Sequence, residues 1–278
     1  MTRLITVRRT LAAAAVTPVL LTGLVACGSD SGGTDAGAGT DTSQSASGSG
    51  VQSDFKPGDS VEPAEFSGLL ADGFANITTA HATLKGDVGT GTLSGKGDID
   101  YSGDSPATAM TITSGLFGSD GAEVRLVDGV MYVNIGQLSG DKFWKIDLDD
   151  PDSPFGSLGS QIDPKSSVEL LEKGLTSVEY VGEEDSLDHY RASVDPQALV
   201  KDLGGPMASR GASALPDSID YDVWLDDDNR LNKLTFAMGD AATLEMALSD
   251  FGADVTIEAP PADAVAEMPD VFGNAGTA

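Results

Sequence analysis

Between Ala122 and Ile135 the chain alternates apolar and polar residues on either side of the pair Asp128-Gly129. Asp-Gly is what a two-residue hairpin turn demands, because both of its central positions take positive φ. Such a turn sets Val127 opposite Val130, Leu126 opposite Met131 and Val124 opposite Val133. With a side-chain period of two, Ala122, Val124, Leu126, Met131, Val133 and Ile135 then share one face, and Glu123, Arg125, Tyr132 and Asn134 share the other. A hairpin whose two arms agree on an apolar side has to cover that side. The chain is therefore committed to a sheet with one dry face.

The same writing, cut by turn residues, predicts strands over His81 to Val88, Thr92 to Tyr101, Ala107 to Thr113, Ala122 to Val127, Val130 to Ile135 and Phe143 to Leu148, an antiparallel meander. A second set follows at Leu175 to Val181, Leu187 to Val194, Ser218 to Leu225, Leu231 to Met238 and Ala241 to Phe251. With Asp226 to Asn229 as a four-residue loop, Ile219, Tyr221, Val223 and Leu225 face the same way as Leu234, Phe236 and Met238. Helical spacing appears earlier, where Phe66, Leu69, Leu70, Phe74 and Ile77 form a stripe within Pro63 to Ala80. Asp163-Pro164 starts a second helix that Gly174 ends, and Asp195-Pro196 starts a third running to about Leu203. A sheet of about eleven strands must curl or be covered. The expected fold class is α+β: a single large, curved antiparallel sheet, a half-barrel, with helices covering its concave apolar face.

No disulfide can help this core, because Cys27 is the only cysteine. It closes the run Leu24-Val25-Ala26-Cys27-Gly28 after a short apolar stretch from Leu11 to Leu24, with Arg3, Arg8 and Arg9 ahead of it. That is a lipobox after a signal peptide, with cleavage following Ala26. The apolar stretch contains Pro18 and is shorter than the ~20 residues a spanning helix needs. Arg8-Arg9 also fits a twin-arginine signal, which leaves the export route open. Cleavage removes three of 16 basic residues and none of the 44 acidic ones, so the formal charge moves from −28 to −31. Such a chain repels nucleic acid and anionic headgroups, and its charge favours a monomer. Residues 27–60 are rich in Gly, Ser, Thr and Asp and poor in large apolar groups, a disordered tether spanning on the order of 30 Å. The expected organisation is a signal peptide at 1–26, the lipidated tether at 27–60, a folded domain at 61–260 and a partly flexible tail at 261–278.

Catalytic groupings are scarce. His81 and His189 fall in separate strand regions, without a cysteine nucleophile or a serine in an elbow motif, and each reads as an ordinary surface or edge residue. Pairs such as Asp98/Asp100 and Glu183/Glu184 could serve a glycosidase, but in so acidic a chain they read as solvated. Asp226 and Asp228 begin like a calcium loop, yet Arg230 stands where an oxygen ligand belongs. The acids Asp147, Asp149, Asp150 and Asp152, with Pro151 inside, read as another turn. The glycines from Gly86 to Gly97 lie in strands rather than in a phosphate loop. No enzyme activity, cofactor or metal is expected.

The lipobox, the tether, the helix before a meander, Asp128-Gly129-Val130-Met131-Tyr132-Val133 with Trp144-Lys145-Ile146-Asp147, and Tyr221-Asp222-Val223-Trp224-Leu225-Asp226 with Leu231 to Phe236 resemble the LppX/LprA/LprF/LprG lipoproteins of actinobacteria. The resemblance implies a fold similar to the LolA/LolB carriers. It also implies binding of acylated lipid or glycolipid in a hydrophobic cavity, carriage or presentation of it across the envelope, and service to a membrane lipid transporter. The expected lining is Val124, Leu126, Met131, Val133, Ile135, Trp144 and Ile146 from the first half, with Val223, Leu225, Leu234, Phe236 and Met238 from the second. The protein would sit on the outer face of the cell membrane, held through lipidated Cys27. A competing reading gives it a filled core and a protein-binding patch around Phe143, Trp144 or Trp224. Cys27→Ser is expected to abolish incorporation of labelled palmitate and to release the protein from the membrane fraction, which radiolabelling and fractionation measure.

Overall fold

The computed structural model describes residues 55–269, apart from 90, 104, 116–120, 149, 151–163, 204–215 and 239–241. Cys27, the signal peptide, most of the tether, Asp149, Asp152 and the expected cap Asp163 lie outside the described residues. In chain order the elements are β1 (Asp59–Val61), α1 (Pro63–Ala75), β2 (Thr79–Val88), β3 (Gly91–Asp100), β4 (Ala107–Ser114), β5 (Ala122–Val127), β6 (Val130–Asn134) and β7 (Phe143–Asp147). Then come α2 (Pro164–Gly174), β8 (Leu175–Glu184), β9 (Leu187–Val194), α3 (Pro196–Leu203), β10 (Ile219–Leu225), β11 (Leu231–Met238), β12 (Ala242–Ser249) and β13 (Val265–Glu267).

All 13 strands belong to one open, curved sheet in the order β1-β8-β9-β10-β11-β12-β2-β3-β4-β5-β6-β7-β13. Every pairing is antiparallel except β13 with β7. The Asp128-Gly129 hairpin has the expected register, including Leu126 opposite Met131 and Val124 opposite Val133. Asp128 and Gly129 take φ of 51° and 74°, as that turn requires.

The sequence reading misses β1 and β13. Each has three residues, too few for a period to show, and each exists because an edge strand offers it a partner. Part of the expected tail thus belongs to the sheet. The connection to β13 explains its parallel sense. After β12, Thr79 Oγ1 donates to the Ala253 carbonyl (2.7 Å), Arg125 Nη1 to Glu258 (3.0 Å) and Lys142 Nζ to Asp263 (3.2 Å). The chain therefore crosses the outer side of the sheet and joins β7 from beyond.

Helix α1 starts at Pro63, whose missing N–H costs nothing there, and has Glu65 in its first turn. It ends sooner than its apolar stripe predicts. The Asn76 N–H returns to the Gly73 and Phe74 carbonyls, and its side chain donates to the Asp228 carbonyl (3.1 Å). Ile77, expected on the helical stripe, is buried just beyond the helix. Gly73 makes this docking possible, since a Cβ there would lie 1.8 Å from the Asn229 carbonyl oxygen. Asp195 caps α3 as expected, accepting from the Gln197 N–H at 2.8 Å.

In mid-sheet, a Cβ on Gly97 would fall 2.0 Å from the Ala109 carbonyl oxygen. Strands β3 and β4 close on one another there, and glycine allows the bend.

Gly73→Ala is expected to destabilise the fold by about 3 kcal/mol, because helix and turn must move apart; urea denaturation measures it. A second expectation concerns alkali. Burial raises the Tyr101 and Tyr221 phenols above their usual range, and burial followed by the Asp188 carboxylate, which accepts the Tyr180 hydroxyl at 2.7 Å, does the same for Tyr180. The unfolded phenols ionise near pH 10, so their contribution is complete below about pH 10 and is lost as pH rises beyond it. Thermal melts between neutral pH and pH 11 should show the midpoint falling only at the alkaline end.

Candidate functional site: the inner face of the sheet

Residues directly opposite one another across a ladder share a face, so the register can be followed from strand to strand. From Val133 it passes to Val124, Met110, Gly97, Ala82 and Leu248. Trp144 opposite Val133 extends that row onto β7, and a parallel row runs from Ile146 through Met131, Leu126, Thr108 and Ile99 to Ala80. Across the centre, Gly86 leads to Leu244, Phe236, Tyr221 and Ala192, while Leu84 leads to Met246, Leu234, Val223 and Tyr190. Among the described residues, the strands from β10 round to β7 carry no charged side chain on this face. Among the described strand residues, acids appear on it towards the β1 edge, as Asp188 opposite Leu225, Glu183 opposite Asp188 and Asp59 opposite Tyr180.

Helices cover part of it. Phe66, Leu69 and Leu70 of α1 and Val168 of α2 join a main cluster with Ala80, Leu84, Ile99, Val178, Tyr190, Val223, Leu225 and Leu248, and Leu171 and Leu199 pack against it. A second, small cluster of Leu126, Ile146 and Leu148 lies towards β7, packed by Tyr101, Met131, Val133 and Met268. No described helical residue contributes to it, so among the described residues the expected helical cover of the concave face lies over the main cluster.

Apart from Ile135 and Met238, the expected lining residues fall on this face, in different settings. Leu126, Trp144, Ile146, Val223, Leu225 and Phe236 are buried, whereas Val124, Met131, Val133 and Leu234 are half-buried. Leu225 follows a bulge and opposes Leu231, so the loop before β11 runs from Asp226 to Arg230 rather than four residues. Met238 stands opposite Ala242 in the register. Ile135, placed within a strand by the sequence reading, lies past the end of β6 at the start of a single 3-10 turn, Gly136–Ser139. Structure brings Leu126, Met131, Val133 and Ile146 together in the small cluster, and places Val223, Leu225 and Leu234 in or against the main one. Leu93, Leu244 and Met246 are also half-buried here and were not among the lining residues. The alternation in Ala242–Ser249 marks Leu244 and Met246; Leu93 is hidden among glycines.

The three aromatic residues of the competing patch are covered instead. Phe143, Trp144 and Trp224 are 7%, 9% and 7% exposed. Arg125 lies over the Phe143 ring at 5.2 Å. Trp224 points to the outer side, where His189 stacks on it at 4.3 Å and Lys233 sits 3.5 Å from the ring centre on a flanking strand. Its indole donates to Glu184 at 2.9 Å.

His189 is accordingly no surface residue, since it is buried and paired with Asp222 at 2.8 Å. His81 sits in a central strand and pairs with Asp98 at 2.6 Å. Asp226 turns its carboxylate inward to the N–H groups of Asp228 and Arg230 and to the Arg230 guanidinium, which makes it a turn. Among the described residues, no three His, Cys, Asp or Glu side chains converge as metal ligands.

Trp224→Leu is expected to cost about 2 kcal/mol by removing the ring between His189 and Lys233, a loss that urea titration would register while leaving the inner face untouched.

No protein-family model matches the chain, and neither does any curated protein. Among solved structures, it is similar to the Mycobacterium tuberculosis lipoprotein LppX, at 16% identity and a TM-score of 0.49 over 71% of this chain and 100% of that one. It is also similar to LprF from Mycobacterium bovis, at 15% identity and a TM-score of 0.42 over 71% of this chain and 97% of that one.

Proposed function

We propose that the chain is a lipid-binding protein, anchored by Cys27 to the outer face of the cell membrane, that takes acylated lipid or glycolipid against its inner face. It then carries or presents that lipid across the envelope. The observation that carries this reading is the uncharged inner face from β10 to β7, on which Leu93, Val124, Met131, Val133, Leu234, Leu244 and Met246 remain only half-buried.

The physical demand on a carrier is large. A lipid with two palmitoyl-length chains has about 30 methylenes, and exposing them to water costs on the order of 25 kcal/mol. A carrier has to replace most of that burial during transit. Half-buried aliphatic residues on a curved sheet can do so, and the methionines among them adapt to chains of different length. The tether lets the domain return to the bilayer that loads it, and a membrane lipid transporter is a natural partner for that step.

Native mass spectrometry of exported Cys27→Ser protein from lipid-rich cells should show co-purified acylated lipid. Uniformly empty protein after gentle handling would overturn the reading. Val124→Asp sets a charge at a half-buried point of the face and should reduce the lipid-bound fraction by about tenfold, because an unpaired carboxylate is costly beside hydrocarbon. Circular dichroism confirms that the fold is retained.

A further inference from the structure

Among the described residues, two side-chain oxygens are buried without a hydrogen-bond partner, Ser67 Oγ and Tyr101 Oη. Buried hydroxyls are nearly always paired, and an unpaired one lowers stability, so each calls for a reason. Ser67 lies on the packed side of α1, where its environment is the main cluster. Tyr101 has a different setting. It follows β3 two residues after Ile99, on the parity of the inner face, and its N–H donates to the Thr78 carbonyl at 2.6 Å. It is the one described residue that packs against both apolar clusters. Its side chain therefore stands at the boundary between the helix-covered core and the β5–β7 side of the sheet, with its hydroxyl buried.

The chemistry of a matching ligand follows from the surroundings. Among the described residues, no charged side chain stands on the inner face of the strands from β10 to β7, so the sheet there offers an ionised headgroup no counter-ion. Burial keeps the phenol protonated through the neutral range, which makes it a donor. An uncharged acceptor oxygen meets both conditions.

We propose that Tyr101 is a cargo-binding residue, donating a hydrogen bond from its hydroxyl to an ester carbonyl of a neutral acyl lipid lodged at the boundary of the two clusters. This rests on lipid binding at the inner face. The class of cargo is then narrowed to uncharged acyl esters.

The test uses purified Cys27→Ser protein and two probes dispersed in non-ionic detergent. One is a triacylglycerol; the other is the trialkyl ether of equal chain length, which lacks the carbonyls. The protein should bind the ester more tightly, and adding Tyr101→Phe should weaken ester binding by about three- to tenfold while leaving ether binding unchanged. The empty Tyr101→Phe protein should melt at the same temperature or higher, since it has lost an unpaired hydroxyl. Equal ester affinity with and without Tyr101→Phe, an equal loss for both probes, or a lower melting temperature of the empty variant would each overturn the assignment. Failure of the parent protein to bind either probe would instead sink the lipid-binding reading on which it stands.

Discussion

Parity holds this molecule together. Side chains alternate along a strand, and opposite residues share a side, so one consistent register passed from strand to strand decides which half of the residues is dry. The chain of partners from Val133 through Val124, Met110, Gly97 and Ala82 to Leu248 has no break. A slip of one residue at any ladder would turn Glu123, Arg125 or Lys96 inward and their apolar neighbours outward. Burial of one face thus specifies the whole pairing pattern, and the pattern in turn creates a face long enough to have more than one use.

That face is occupied unevenly. Helices α1, α2 and α3 bring apolar residues to the larger cluster, which does the ordinary work of a hydrophobic core. Towards β7 the cluster is small and is packed by Tyr101, Met131, Val133 and Met268. Between them, partly buried aliphatics remain on a surface with no charge. The outer side is organised on different physics, with cross-strand pairs such as His189 on Trp224, Arg125 on Phe143 and His81 on Asp98. Polar and aromatic groups there satisfy one another and leave the inner side to hydrocarbon.

Much of this was written locally in the sequence. The Asp128-Gly129 turn carried its register with it, and the strand bounds of β5, β9 and β11 could be read from alternation alone. The Asp195 cap likewise needs only its neighbours. What could not be read depends on partners distant in the chain. The end of α1 is set by Asn76 meeting Asp228, and β1 and β13 are strands because β8 and β7 present open edges. Trp224 shows why the candidate patch failed: alternation gives the side on which a ring emerges, but its cover comes from β9 and β11. Tyr101 was legible only as the end of a strand, since its unpaired hydroxyl is a property of the packed interior.

The crossing segment between β12 and β13 has a mechanical consequence. It leaves the middle of the sheet at Ala253, touches Arg125 on β5 through Glu258, and ends by pairing with β7 at the margin. A girdle of this kind fastens the flank β3–β7 to the centre from behind, so the flank cannot swing outward like a door without tearing β13 from β7. Any widening that admits a bulky guest has to be taken up on the opposite side, by the helices shifting over a frame whose back is already laced shut.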